Sequence, residues 1–234
     1  MSASTTTTTA ATACWSCGQA VSGGHFCAAC GKIQPLARDT DYFAFFGLPR
    51  KLSIDAGDLE QSFHALSWKL HPDNFVRASE SERDLSLERS SQLNDAYRTL
   101  LDPITRVEYL LGLEGMRREG QQKQQAPPEL LEEVFELNES LDELRMARAA
   151  GGDLDERARL SKTLEAAAKK FQDSLAGVDA ELRKLFVAWD QALDAGADAA
   201  ARRALMERMN AALNRRSYIR NLVAGVHKEL TENC

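Results

Sequence analysis

Leu70-His71-Pro72-Asp73-Asn74-Phe75 is the stretch on which the reading of this chain turns. It closes a segment in which Leu59, Phe63, Leu66 and Leu70 recur at 4-3-4 spacing, which lines one face of a helix. Pro72 pushes His71 out of the α region, so the helix must end there, and His71 and Asp73 project from a stiff corner. A lone His-Pro-Asp tripeptide carries little; its neighbours make this one specific. Phe75 follows in the loop, and then comes a helix with Leu85, Leu93-Asn94-Asp95-Ala96-Tyr97 and Leu100, ending near Asp102-Pro103. A short final helix holds Val107, Tyr109, Leu110 and Leu111. Upstream, Asp41 is placed to cap a short helix through Leu48 that Gly47 and Pro49 end, and Ser53 or Asp55 to start the next. Together these form a helical unit over residues 40–112.

The composition agrees with a mainly α chain. Its 234 residues suit one or two domains. Only 14 Gly and 6 Pro leave room for long helices, and 7% aromatics argue against a large β-sandwich. A net charge of -6 excludes a dominant nucleic-acid or anionic-membrane surface. No stretch approaches the roughly 20 apolar residues of a membrane span. Residues 1–13 are uncharged Ser/Thr/Ala with no apolar core and no Arg, so a disordered tail is expected rather than a targeting signal. A bacterial-type cytoplasm is the simpler compartment, with the mitochondrial matrix as the alternative.

Beyond residue 112 the pattern changes. Residues 113–127, with Gly115, Gly120, a Gln-rich run and Pro127, break helices and read as a linker. Residues 128–232 then read as a three-helix bundle. Leu130, Val134, Leu137, Leu141 and Leu144 form the first stripe. Leu164, Ala168, Phe171, Leu175, Val178, Leu182, Leu185 and Trp189 form the second, which passes Gly177 without losing phase and so predicts one long helix. Leu205, Met209, Ala212, Ile219, Val223, Val226 and Leu230 form the third, interrupted by Arg216. On the first helix Leu131 and Phe135 make a second apolar pair at i,i+4, off the stripe and flanked by Glu132, Glu136 and Glu139. An exposed apolar pair with an acidic rim is an interface pattern.

Four of the five cysteines lie in residues 14–34, as Cys14-Trp15-Ser16-Cys17 and Cys27-Ala28-Ala29-Cys30, each followed by glycine (Gly18, Gly31). A two-residue gap turns both sulfurs of a pair toward one ion, and the glycine lets backbone amides point at the thiolates. Two pairs complete a tetrahedral S4 site, which suits Zn2+ first and iron second. The expectation is a small zinc-ribbon or knuckle-like segment, structural and not catalytic, whose fold depends on the metal. Redox-active dithiols are the other reading. His25, beside the second pair, reads as a surface residue, and no group in the chain marks it as an enzyme.

Residues 40–112 resemble a J-domain, the module that docks on DnaK-type ATPase chaperones: Asp41-Tyr42-Phe43 with Leu48 matches its opening and LHPDNF its loop. LNDAYRTLLDPITRVEYLL, FELNESLDEL from Phe135 to Leu144 and NRRSYIRNL from Asn214 to Leu222 resemble the HscB/Jac1 family of iron–sulfur cluster co-chaperones, some members of which carry a double-CxxC extension. The resemblance implies that His71, Pro72 and Asp73, with Lys69, face a DnaK/HscA-type chaperone and stimulate its ATPase. It further implies that Leu131, Phe135, Glu136 and Glu139, with Tyr218, bind the IscU/ISU cluster scaffold, and that this chain binds no nucleotide itself. The helix before the corner departs from the family's basic face: Lys69, His64, Arg50 and Lys51 are offset by Asp55, Asp58 and Glu60, which leaves Arg77 and Arg83 as contributors. A general J-domain co-chaperone for other clients would carry a Gly/Phe-rich or β-rich client region, which is absent. A zinc-binding nucleic-acid adaptor would need basic residues near the cysteines, where only Lys32 stands. Homodimerisation through the cysteine segment stays open.

Overall fold

The computed structural model describes residues 12–21, 23–37, 39–117, 128–151 and 153–231. Residues 1–11 of the expected tail, 118–127 of the expected linker and Cys234 lie outside the described residues. The chain is mainly α, as its periodicity predicts, and divides into two compact units: residues 1–50 with 54–106, and residues 51–53 with 107–234.

The first unit opens with a two-stranded antiparallel ribbon, β1 (Thr12–Ala13) and β2 (Ala20–Val21). Helix α1 (Tyr42–Phe45) starts on Asp41, whose carboxylate accepts the Ala44 amide at 2.9 Å. It is shorter than the sequence suggests, because Gly47 adopts φ +68 and reverses the chain, so that the Gly47 and Leu48 amides close back on Ala44 and Phe43. Helix α2 (Ala56–Leu70) is capped by Asp55 rather than Ser53, through the Asp58 amide at 3.0 Å. After the corner, Ser79 and Glu82 form a reciprocal capping box that starts α3 (Glu80–Leu101). Asp102, extended at ψ 124 ahead of Pro103, ends it, and α4 (Pro103–Leu113) follows. The buried Arg106 guanidinium donates to the Leu100 and Leu101 carbonyls, which the end of α3 leaves without helical partners. Leu59 and Leu70 of α2 are buried, as are Leu93, Ala96 and Leu100 of α3.

The second unit begins with the rest of α4, whose Val107, Leu110 and Leu111 are fully buried. It continues with α5 (Leu131–Ala149), α6 (Leu154–Asp194) and α7 (Ala199–Thr231). The single 41-residue α6 runs through Gly177 and spans about 60 Å. Every residue of its expected stripe is buried or half-buried, joined by Leu160 and Phe186. Arg216, which breaks the α7 stripe, is half-buried and donates to Asp179 of α6 at 2.6 Å; Arg215 pairs with Glu181 beside it. Arg145 of α5 meets Glu229 of α7 at 2.9 Å and, with Arg148, holds that carboxyl below its usual range, although burial opposes the shift. The segment Lys51–Ser53 is held on α6: the buried Asp190 carboxylate accepts the Leu52 and Ser53 amides at 2.7 and 2.8 Å. Among the described residues no helix is long and apolar enough to cross a membrane.

Gly177 meets nothing within 4 Å of where a Cβ would stand, so its only effect is the entropic weakness of a helical glycine. Gly177→Ala is expected to stabilise the bundle by about 0.5–1 kcal/mol, seen as a higher urea midpoint with an unchanged slope; a lower midpoint means the long helix needs flexibility there.

Candidate functional site

The His-Pro-Asp corner is built from the end of α2. The helix ends at Leu70 with its chain turned away by Pro72, so the Leu70 carbonyl has no helical donor and must find partners elsewhere. It takes two hydroxyls from α3, Ser86 Oγ at 2.7 Å and Ser90 Oγ at 3.1 Å. His71 is extended at φ -58, ψ 130, and Pro72–Phe75 form one turn of 3-10 helix. Within that turn the Asp73 amide donates to His71 Nδ1 at 3.3 Å, and the Asn74 amide to the His71 carbonyl at 3.0 Å. Asn74 Nδ2 ties the turn back to the Trp68 carbonyl at 2.6 Å. Leu70 and Phe75, on either side, are buried in one cluster with Phe45, Leu93 and Ala96. The backbone is thus held at both ends while the polar side chains face outward: the Asp73 side chain is 86% exposed and that of His71 55%. Lys69 is exposed on the turn before. A carboxylate so placed is open to hydrogen-bond donors from solvent.

Two of the basic residues weighed for docking are occupied within the fold. Arg50 pairs with Asp41 at 2.8 Å and Lys51 with Asp194 at 2.7 Å. Arg77 and Arg83 are exposed. Trp68 is the residue that sequence reasoning missed. It is 80% exposed, one turn before His71. The signal was available: a tryptophan off the Leu59–Leu70 stripe has no place in that core. Val76, 65% exposed, follows the corner.

The second candidate surface lies on α5. Leu131 and Phe135 are 53% and 70% exposed, while Val134 and Leu137 on the same helix are buried. Glu132, Glu136 and Glu139 are exposed around them. Tyr218 of α7 is half-buried. Arg145 and Arg148 of α5 both reach Glu229 of α7.

The four cysteines converge as their spacing predicts. Their sulfurs lie within 4.8 Å of one another, and none is in a disulfide. The two knuckles match bond for bond. Gly18 N donates to Cys14 O and Cys14 N to Gln19 O; Gly31 N donates to Cys27 O and Cys27 N to Lys32 O. Gly18 and Gly31 both adopt positive φ, +74 and +71, as the tight turns require. Across the knuckles, Cys14 and Cys30 sulfurs are 3.7 Å apart, as are those of Cys17 and Cys27. An S4 tetrahedron with metal–sulfur bonds of about 2.3 Å has edges of about 3.8 Å, so the donor set fits a metal ion. Burial opposes ionisation of Cys14, but the Cys17 and Ser16 amides and the adjacent thiols outweigh it and bring its thiol down to about 6. At Cys17 the Gln19 amide favours the thiolate, yet burial and three crowding sulfurs push the thiol up to about 12. Four sulfurs this close cannot all carry charge without a cation among them.

His25 is not the surface residue expected. It is half-buried, its ring meets Phe45 edge-on at 4.5 Å, and Nε2 donates to the Phe45 carbonyl at 2.9 Å. Burial holds it below the ordinary histidine value, against the pull of that carbonyl. Lys32 meets Glu82 at the start of α3 at 2.9 Å and keeps that carboxyl low, with burial opposing.

Over 154 residues the sequence is 36% identical to a co-chaperone protein HscB homolog of Vibrio vulnificus, an alignment covering 66% of this chain and 85% of that one. It is 38% identical over 130 residues to an iron–sulfur cluster co-chaperone protein HscB homolog of Arabidopsis thaliana, covering 56% of this chain and 51% of that one. The crystal structure of human co-chaperone protein HscB superposes with a TM-score of 0.61 at 25% identity, over 94% of this chain and all of that one. No protein-family model matches the sequence.

Replacing both Ser86 and Ser90 by alanine leaves the buried Leu70 carbonyl without hydroxyl partners. The expected cost is about 1–3 kcal/mol of stability, measured by denaturant titration, with amide exchange at Asp73 and Asn74 accelerating more than in α6. Unchanged exchange at the corner would show that these hydroxyls do not hold it.

Proposed function

The chain belongs to the HscB family of co-chaperones, and from that premise we propose that it serves iron–sulfur cluster biogenesis. It carries a cluster scaffold of the IscU/ISU type to a DnaK/HscA-type chaperone and stimulates that chaperone's ATPase. The observation that carries this reading is the corner itself: a carboxylate with 86% of its side chain exposed, on a backbone turn pinned by Leu70, Phe75 and three hydrogen bonds. A solvated carboxylate on a held backbone costs little to uncover and leaves only its own side chain to order when a cationic partner meets it. Trp68, Lys69 and Arg77, exposed within five residues of Asp73, and the exposed Arg83 are groups a charged and partly apolar partner surface would engage.

The α5 ridge supports the cargo half of the reading. Leu131 and Phe135 leave apolar surface in water with a glutamate rim, and Tyr218 of α7 is half-buried. A scaffold with a basic-edged apolar patch fits such a ridge. The chain performs no bond chemistry in this scheme; ATP hydrolysis belongs to the chaperone. The four-cysteine ion is Zn2+ held for structure, because all four positions are thiolate and none stays open for substrate.

Asp73→Ala is expected to abolish ATPase stimulation while scaffold affinity stays within a factor of two or so, since an exposed substitution shifts stability by only about 0.5 kcal/mol. Full stimulation by that variant rules out the corner as the contact. Leu131→Ala combined with Phe135→Ala is expected to weaken scaffold binding by about 2–4 kcal/mol in calorimetry, with helical circular dichroism unchanged. Undiminished affinity would place the cargo elsewhere.

A further inference from the structure

The sequence predicts a small cysteine segment whose fold depends on the metal. In the structure that segment also runs into the core that holds the corner. Ile33, three residues after Cys30, has no exposed surface. It belongs to the cluster of Phe45, Leu70, Phe75, Leu93 and Ala96, with Phe26 and Leu36 packed against it. Leu70 directly precedes His71 and Phe75 closes the same turn, so Ile33 shares a core with both ends of the exposed tetrapeptide.

Both knuckles hold Ile33. In the first, the Trp15 indole, between Cys14 and Cys17, donates to the Ile33 carbonyl at 2.7 Å. In the second, the Cys27 amide closes on the Lys32 carbonyl at 2.9 Å, and Phe26 bridges to Ile33. The segment also grips neighbouring elements, through His25 on Phe45 and Lys32 on Glu82. Its own regular structure is a ribbon of two residues per strand, too small to persist without a staple. Where a metal joins such knuckles, metal binding and local folding are one equilibrium.

We propose that Ile33 is a positioning residue for the His-Pro-Asp corner, and that filling the four-cysteine site sets how well the corner works. With the ion bound, the knuckles hold Trp15 and Cys27 in place and Ile33 stays seated in the core it shares with Leu70 and Phe75. Without it the knuckles open, Ile33 loses its grip, and the 3-10 turn samples conformations in which Asp73 no longer points at a partner. The α5 ridge, in the other compact unit, is untouched. This inference rests on the co-chaperone reading for its functional consequence but not for its structural one.

The test uses the full chain, reduced and loaded with zinc, against the same protein stripped by a chelator under reducing conditions. Amide exchange is followed at Asp73, Asn74 and Ala78, with α6 amides as reference. Zinc removal is expected to speed exchange at the corner and leave α6 unchanged. Ile33→Ala in zinc-loaded protein should reproduce the effect, and Ile33→Val should largely restore the wild-type pattern. Maximal ATPase stimulation of a DnaK-type chaperone should fall about five- to tenfold on zinc removal, with scaffold affinity unchanged. Equal corner exchange with and without zinc overturns the proposal, even if the protein is an active co-chaperone. If zinc-loaded wild type fails to stimulate any such chaperone yet the exchange coupling is seen, the co-chaperone reading fails and the positioning role of Ile33 stands.

Discussion

Pro72 has no amide hydrogen and denies His71 the helical conformation, and the first compact unit is arranged around that constraint. Helix α2 must stop at Leu70, and its last carbonyl must be paired from outside. Ser86 and Ser90 of α3 do this, which fixes α3 against the end of α2. Phe75 re-enters the core one turn later, so only the tetrapeptide between remains in solvent. A corner that is stiff at the backbone and solvated at the side chains follows from one imino acid and two hydroxyls.

The same unit solves a second problem of scale. A two-stranded ribbon cannot bury enough apolar surface to order itself. Here it draws on two sources: the four converging thiols, whose crowding calls for a cation, and Ile33, which enters a core made mainly by helices. The cysteine segment therefore contributes to the core it leans on. The second compact unit needs no such device, because α6 and α7 bury long complementary stripes.

Much of this was legible along the chain. Stripes at helical spacing marked α2, α3, α6 and α7, and the passage of the second stripe through Gly177 marked one helix rather than two. The C-x-x-C-G repeats marked the metal site, because two-residue gaps and positive-φ glycines are local requirements. Arg216 looked like an interruption and proved to be a partner for Asp179, a residue on another helix that no pattern within α7 could name. Trp68 stands off the apolar stripe, and helical periodicity marks only the stripe.

The sequence by itself determined where most helices lie, which cysteines could ring a metal, and that a His-Pro-Asp corner and an acidic-edged apolar ridge exist. Periodicity, capping, proline and glycine act within a few residues, so a string of letters carries them. Only the tertiary structure decided that His25 lies against Phe45 and is not a surface group, that Arg50 and Lys51 are already paired, and that Ile33 shares a core with Leu70 and Phe75. Those outcomes depend on which apolar surfaces find one another in space. A hydrophobic contact has no direction and leaves no local spacing to read, so it is settled when the elements pack.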